Sequence, residues 1–416
     1  MQLTVCGFGG AGSRLADRLV AADAAEGPSM LAGAVAIDTD PASLAALEGI
    51  PEAHRHHYGL GIDGVATVTH DGDGEDETLD RDDEHGGDRE RGAAAVEAHH
   101  AALSHAVTDA VTTETDAILC CVGLAGGSGA TAVPPLAAEL RRVVDRPIYG
   151  LGLLPAEELP TTVAVDADPA DDRREAAERA GMDTSDPRGE DPPEWAVNAG
   201  RALEELTVAT DSLLCFDTAD WLRSGESIDE PTVRRRCNDD LARRVATLFR
   251  AGEVDPEGPI AERVVDAAEL QNTFDAGGIA TLGYASQTVE RPQTSRFGLG
   301  LFEHAGEVET TASIKAVDTT VRRAVRGKLS VEVDRASTSR GLLIVGGPPA
   351  WLNREAVSSA RKWLTEETAS VQIRTGDMPT PEGSAVIAVV LLTGVGVCPR
   401  VDALRQCAEQ ARRRTR

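Results

Sequence analysis

The apolar positions of this 416-residue chain fall into short unbroken runs separated by segments of helical period. "LTVCGF", "GAVAID", "DAILCCVG", "PIYGLGLLP" and "SLLCFD" are continuous rather than alternating, the pattern of strands buried on both faces. Between them "GSRLADRLVAA", "AAAVEAHHAALSHAVTDAV", "ATAVPPLAAELRRVV" and "NAGRALEELTVAT" read as helices. This alternation predicts a parallel sheet with helices on both faces. Asp40 and Pro41 announce one short helix, as an N-cap followed by Pro at the first helical position. "VRRRCNDDLARRVATLFRAG" predicts a long helix. After it the rhythm changes, and "RGLLIVGGPPAWLNREAVSSARKWL" and "SAVIAVVLLTGV" predict a second α/β unit. The longest apolar run, residues 385–397, falls short of the ~20 residues of a spanning helix and reads as a buried strand. The resulting division is a nucleotide-type domain over 1–228, a connecting helix over 229–252, a second domain over 253–404 and a basic tail over 405–416. Two acidic, low-complexity insertions, about 62–85 and 165–193, interrupt the first domain and predict surface loops.

Charge sharpens this picture. The chain carries 69 acidic and 41 basic residues, a net charge of -28, and only three of the basic residues are lysines (Lys315, Lys328, Lys362). Aromatic residues make up 3% of the chain, so aliphatic side chains must form the core. Such a composition suits molar salt, where the Debye length shrinks to ~3 Å and like charges tolerate one another. It points to a halophile and argues against nucleic acid as a partner. The seven cysteines are scattered and form no C-x-x-C pair. They predict reduced thiols in a cytoplasmic protein, and "MQLTVCGFGG" enters a strand with no basic leader.

Two glycine-rich turns carry the candidate chemistry. "GFGGAG" at 7–12 fits G-x-G-x-x-G between a strand and a helix. Asp38 ends the second strand, where a ribose-binding acid sits in a dinucleotide fold. An NAD(P)- or FAD-dependent oxidoreductase is therefore one reading. A second and denser loop, "GLAGGSGAT" at 123–131, favours another. Two loops that each open a helix can hold two parts of one polyphosphate on main-chain N–H groups and helix dipoles. Neither loop carries G-K-[ST], which excludes a Walker loop. The histidines at 54, 56, 57, 99 and 100 lack zinc-like spacing and read as surface polarity. "ARRRTR" reads as a solvated basic end.

"AGGSGAT" resembles the G-G-G-T-G-[ST]-G signature of the tubulin/FtsZ superfamily. "GGDRERGAAAVE", "NAGRALEELTVATDSLLCFD", "VVDAAELQNTFDAGGIATLGYAS" and "GGPPAWLNREAVSSARKWL" resemble its haloarchaeal branch, the CetZ family. The resemblance covers most of the chain outside the insertions. It implies an α/β, tubulin/FtsZ-like fold with an N-terminal Rossmann-like GTPase domain, a long central helix and a smaller C-terminal α/β domain. It also implies GTP or GDP, with Mg²⁺, across the carboxyl ends of the first sheet. Gly9, Gly10 and Gly12 would meet the phosphates, and Gly126, Gly127, Ser128, Gly129 and Ala130 would cover the β- and γ-phosphates. Gly86, Gly87 and Asp88 fall in the loop that senses the γ-phosphate. Thr218 takes the place facing the base, and Asn238 that of the amide that bonds guanine. Asp266 and Glu269 match acids that act on the nucleotide of the next subunit. Three residues apart, they would share one helix face.

The implied assembly is a head-to-tail homopolymer in cell-shape control, with other CetZ- or FtsZ-like proteins as further partners and only peripheral membrane contact. The signature departs from the family at Ala125, Ser128 and Thr131, and Asp38 replaces the more usual Asn. A methyl at Ala125 would crowd a phosphate if the backbone there needed positive φ. These departures keep a nucleotide-binding relative with little or no hydrolysis as an alternative.

Overall fold

The computed structural model describes residues 1–25, 28–59, 88–159, 191–253, 265–290, 309–370, 372–380 and 383–415. The first acidic insertion, nearly all of the second, Gly86 and Gly87 lie outside these residues.

The unbroken apolar runs form the parallel strands. In chain order the elements are β1 (Leu3–Phe8), α1 (Gly9–Ala25), β2 (Leu31–Asp38), α2 (Pro41–Ala45), β3 (Arg55–His57), α3 (Arg89–Ala110), β4 (Ala117–Gly123), α4 (Ser128–Val143), β5 (Ile148–Leu154), α5 (Glu194–Ala209) and β6 (Ser212–Asp217). The Asp40 side chain accepts from the Ala42 N–H, so α2 starts where the Asp-Pro pair places it. Then come α6 (Pro231–Arg250), α7 (Ala267–Phe274), β7 (Ile279–Thr288), α8 (Thr310–Arg326), β8 (Arg340–Gly347), α9 (Arg354–Thr368), β9 (Ile373–Pro379), β10 (Ala385–Val395) and α10 (Pro399–Thr415).

All ten strands lie in one sheet of order β3-β2-β1-β4-β5-β6-β7-β10-β8-β9. β3 through β7 run parallel. β10 is antiparallel to both β7 and β8. The first six strands have the doubly wound order 3-2-1-4-5-6. Its direction of winding reverses between β1 and β4, which opens a crevice at the carboxyl ends of those strands. The two halves meet at a thin seam, because β6 and β7 share two residue pairs, Leu213–Ile279 and Leu214–Ala280. Buried Ser330 closes the rest of the gap. Its hydroxyl donates to the Cys215 carbonyl, its N–H to the Leu282 carbonyl, and the Asp217 N–H donates to its own carbonyl.

Aliphatic layers cover both faces, as so low an aromatic content requires. Leu136, Leu140, Leu203, Leu206 and Leu404 pack on one face. Leu15, Leu19, Leu241, Val245 and Leu248 pack on the other. On α6 the buried positions 233, 237, 241, 245, 248 and 249 recur at the helical period, which seats this long helix against the sheet. One aromatic and cationic cluster lies where the halves join. The Arg244 guanidinium lies 4.2 Å and the Lys328 ammonium 4.8 Å from the ring centre of Trp221, which stacks on Phe216. All seven cysteines are free and buried.

One expectation is corrected. The basic tail expected over 405–416 is helical rather than separate: residues 405–415 continue α10, with Cys407 and Ala408 buried against α5, while residues 412–415 are exposed as read. The helices approach so closely at Gly200 that a Cβ there would overlap the Leu404 carbonyl oxygen. Gly200→Ala is expected to cost about 2–3 kcal/mol, read as a lowered thermal midpoint in molar KCl with little loss of helical circular dichroism.

Candidate functional site

Three helices begin at the crevice between β1 and β4, and their starts touch backbone to backbone. α1 opens at Gly9, in a left-handed conformation (φ 68°) that glycine adopts without strain. A Cβ on Gly9 would sit 3.1 Å from the Cα of Gly129 in the first turn of α4. A Cβ on Gly129 would overlap the Phe8 carbonyl oxygen. Gly127, just before α4, fits against the main chain of Asp88, the N-cap of α3, where a Cβ would lie 2.5 Å from the carbonyl oxygen. Gly92 closes the ring, since its Cβ would lie 2.6 Å from the Gly127 carbonyl. The glycines thus remove side chains where the positive ends of three helices pack together, and first-turn N–H groups, which lack partners within their helix, are brought close to one another. Ala125 has no positive φ, for among the described residues only Ala369 does so without being glycine. Its methyl therefore fits the loop without strain.

A cavity of about 460 Å³ opens beside this junction. Of the residues singled out from the sequence, Gly9, Gly10, Gly126, Ser128, Gly129, Thr218 and Asn238 line it. Asn238 and Thr218 are each only 8% exposed and reach the wall from α6 and from the turn after β6. Gly12, Gly127, Ala130 and Asp88 stand behind the wall. Ala130 is core, and a Cβ at Gly12 would collide with the Cys121 carbonyl, so that glycine allows α1 to lie against β4. Asp266 and Glu269 are elsewhere. α7 packs at the amino ends of the strands, where Gln271 donates to the Asp116 carbonyl before β4 and Phe274 stacks on Tyr149 at 4.3 Å. Six- to seven-residue strands put that end roughly 20 Å from the cavity. Asp266 is not in the helix body as its spacing suggested. It is the exposed N-cap of α7, and its carboxylate accepts the Glu269 N–H at 2.8 Å. Glu269 pairs with Arg374 at 3.8 Å.

Polar side chains also enter the wall that glycine spacing did not announce. Arg14 and Arg234 both line the cavity. Burial, then the charge of Arg234, pulls the Arg14 pKa down against the pull of Asp38 and Asp40. Arg14 donates to the Ser43 hydroxyl at 3.2 Å, while its Nε has no partner. Its position one turn beyond Gly10 on α1 was the available signal. Asp38 is 3% exposed; one carboxylate oxygen accepts the Thr39 N–H at 2.8 Å and the other is unpartnered. Burial pushes its pKa up to about 6. A separate cavity of about 540 Å³ between α3 and the β2–β3 edge gathers His54, His56, His57, His99 and His105. Three of these rings bond backbone oxygens, those of Ala34, Thr39 and Gly59. Among the described residues no group of three or more His, Cys, Asp or Glu is placed to hold a metal ion.

A doubly wound sheet feeding a side-by-side second α/β half, with a long helix between them and a glycine junction at the switch point, is the architecture of the tubulin/FtsZ class. Comparison with known proteins places the chain within that class. Residues 225–410 match the family described as tubulin-like CetZ, C-terminal domain. Tubulin-like protein CetZ5 of Haloferax volcanii is 34% identical across 100% of this chain and 93% of its own length. Tubulin-like protein CetZ1 of the same organism is 32% identical across 99% and 92%. The chain belongs to the tubulin-like CetZ family. Among solved structures, GDP-bound monomeric CetZ1 from Haloferax volcanii superposes with a TM-score of 0.74 at 28% identity, covering 99% of this chain and 100% of that one. The GTPγS-bound protofilament of CetZ2 from that organism gives 0.73 at 30% identity, covering 100% and 99%. An FtsZ dimer from M. jannaschii shares the fold, at 18% identity, a TM-score of 0.59 and coverage of 95% and 88%. The oxidoreductase reading of "GFGGAG" is set aside.

Two outcomes test this geometry. Gly12→Ala is expected to destabilise the fold by about 2–3 kcal/mol, since backbone must move. Gly10→Ala meets only the ends of the Arg14, Ser43 and Asp38 side chains, at 3.0–3.3 Å, and should leave the melting point within a few degrees while crowding the cavity. The second outcome concerns pH. The folded pKa of Asp38, about 6, lies above the unfolded value near 4, so its protonation stabilises the fold fully below about pH 4. That stabilisation is lost as pH rises through about 6, a change of ~3 kcal/mol. Urea midpoints from pH 4 to pH 7 should fall less steeply for Asp38→Asn than for wild type.

Proposed function

We propose that this chain binds GTP and GDP in the glycine-lined cavity, assembles head to tail, and hydrolyses GTP at the junction between copies. The observation that carries this reading is the pair of helix N-termini, those of α1 and α4, that line the cavity, with the start of α3 packed behind them, an arrangement suited to a polyphosphate. Gly9, Gly10, Gly126, Ser128 and Gly129 would hold the phosphates through main-chain N–H groups and the Ser128 hydroxyl. Asn238 would bond the base, and Arg14 and Arg234 would add positive charge. Gly12, Gly127, Ala130 and Asp88 act from behind, by fixing where the helices start. Gly86 and Gly87 stand as the loop residues preceding Asp88. Mg²⁺ would come in on the phosphates, in keeping with its habit of using substrate oxygens and water rather than a protein cage.

Asp266 and Glu269 are too far from the cavity of their own chain to act there. Stacking carboxyl ends on amino ends brings α7 of one copy over the cavity of the next. The exposed Asp266 carboxylate would then polarise water against the terminal phosphate, with Glu269 beside it. Hydrolysis depends on positioning and charge, so activity appears only on assembly. The cellular reading, a cytoskeletal role in cell shape in the cytoplasm, follows from family membership and from free thiols that a reducing compartment preserves.

A second reading has a specific observation behind it. Asp266 is engaged in capping α7 and Glu269 in pairing with Arg374, an arrangement that suits slow or absent hydrolysis. The Asp266→Ala/Glu269→Ala double variant separates the two. Hydrolysis is expected to fall about 100-fold under assembling conditions, with GDP affinity unchanged and polymers persisting longer in a pelleting assay. Equal rates for variant and wild type would leave the nucleotide-binding, non-hydrolysing reading.

A further inference from the structure

The rim of the cavity is held from outside by one side chain. Arg400 lies in the first turn of α10, yet its Nη2 donates to the Pro155 carbonyl at 3.2 Å and to the Glu157 carbonyl. Its Nε stands 3.7 Å from an oxygen of Asp217. Pro155, Ala156 and Glu157 line the cavity, as do Phe216 and Thr218 on either side of Asp217. The guanidinium is 15% exposed and the Asp217 side chain 8%, and the ring of Trp195 lies 5.9 Å from the guanidinium carbon. One partly buried cation therefore ties the loop after β5 to the turn after β6, two walls of the cavity that make no continuous ladder past the strand ends.

The same helix reaches a third wall through α5. Besides the close approach at Gly200, Arg405 donates to the Thr207 hydroxyl at 3.0 Å, and Arg412 forks onto Glu204 at 2.6 and 2.7 Å. Asn198 of α5 in turn donates to the Ala125 carbonyl in the second glycine loop, at 3.4 Å. A ligand that fixes these walls therefore fixes the groups on which α10 is seated.

We propose that Arg400 is a positioning residue that couples the seating of the C-terminal helix to occupancy of the nucleotide cavity. The coupling rests on the guanine-nucleotide reading above. Its two states are a seated α10, with Arg400 on both carbonyls and beside Asp217, and a helix whose first turn has lifted and released the rim. Linkage makes the effect reciprocal: nucleotide tightens the first turn of α10, and anything that lifts that turn off the rim releases nucleotide. Removing the guanidinium leaves a buried carboxylate and two carbonyls without their donor, a cost that falls on the bound form if the rim is ordered there.

The test uses the full chain in molar KCl, with a fluorescent GDP analogue for affinity and dissociation rate, and amide hydrogen exchange over 399–415 with and without GDP. Arg400→Ala is expected to weaken GDP binding about tenfold, mainly through faster dissociation. In that variant GDP should no longer slow exchange in α10, whereas in wild type it does. Arg400→Lys, which keeps the charge and loses the fork, should fall between. Arg412→Ala should loosen the end of α10 while leaving GDP affinity within about twofold. Equal affinity in wild type and both Arg400 variants, or exchange in wild-type α10 indifferent to GDP, overturns the coupling alone. Should Arg400→Ala fail to fold, the lysine variant and the wild-type exchange decide. A wild type that binds no guanine nucleotide overturns the functional reading and the coupling with it.

Discussion

Main chain packed on main chain, where α1, α3 and α4 begin, is the contact on which the rest depends. Gly9, Gly92, Gly127 and Gly129 each occupy a place where a methyl would strike another backbone. Nothing but glycine permits three helix ends to meet there, and their meeting sets two things together. It fixes how close the helices lie to the sheet, and it concentrates unpaired N–H groups at the carboxyl ends of β1 and β4. Structure and affinity for anions are thus one feature, not a scaffold with a site added. Four of the glycines read from the sequence as phosphate contacts do line the cavity, while Gly12 and Gly127 serve the packing that creates it.

Most of the architecture could be read along the chain, for physical reasons that differ by element. Buried parallel strands leave uninterrupted apolar runs, so β1, β4, β5 and β10 were legible. α2 was legible because Asp40 and Pro41 combine a side-chain cap with a preset backbone angle. α10 was misjudged at its end because arginines dominate its last turn. The pairing of Arg412 with Glu204 and the burial of Cys407 depend on α5, some two hundred positions earlier, and no local period reports that. Asp266 was placed in a helix body by its spacing from Glu269. An N-cap shares that spacing, since Asp at N-cap and Glu three residues later is also a helix-start pattern. Arg234 was missed because a charged residue on an exposed-looking helix carries no mark of the cavity it reaches, Arg14 had its place one turn beyond Gly10 as its one signal, and Arg400 acts on the rim through carbonyls of a loop far away in the chain.

Distance within the subunit divides the chemistry. The cavity lies at one end of the strands and α7 at the other, so the acids and the phosphates they would serve cannot meet inside one molecule. The sheet is the spacer between them, and on the function proposed above a repeating stack would bring them together. The low aromatic content fits the same economy of parts. Rings gather around Trp221 and Tyr284 at the join of the halves, where Arg243, Arg244 and Lys328 lie over their faces, and aliphatic side chains fill the remainder.

The burial of every cysteine has a practical corollary. Burial also raises the pKa of Cys6, Cys121 and Cys215 well above the usual thiol range, and only the thiolate reacts. A cysteine placed at an exposed position, such as Val208, would then be the one sulfur that a maleimide dye finds in the folded protein. Single-molecule imaging of growth and shrinkage could proceed without first stripping out the seven native sulfurs.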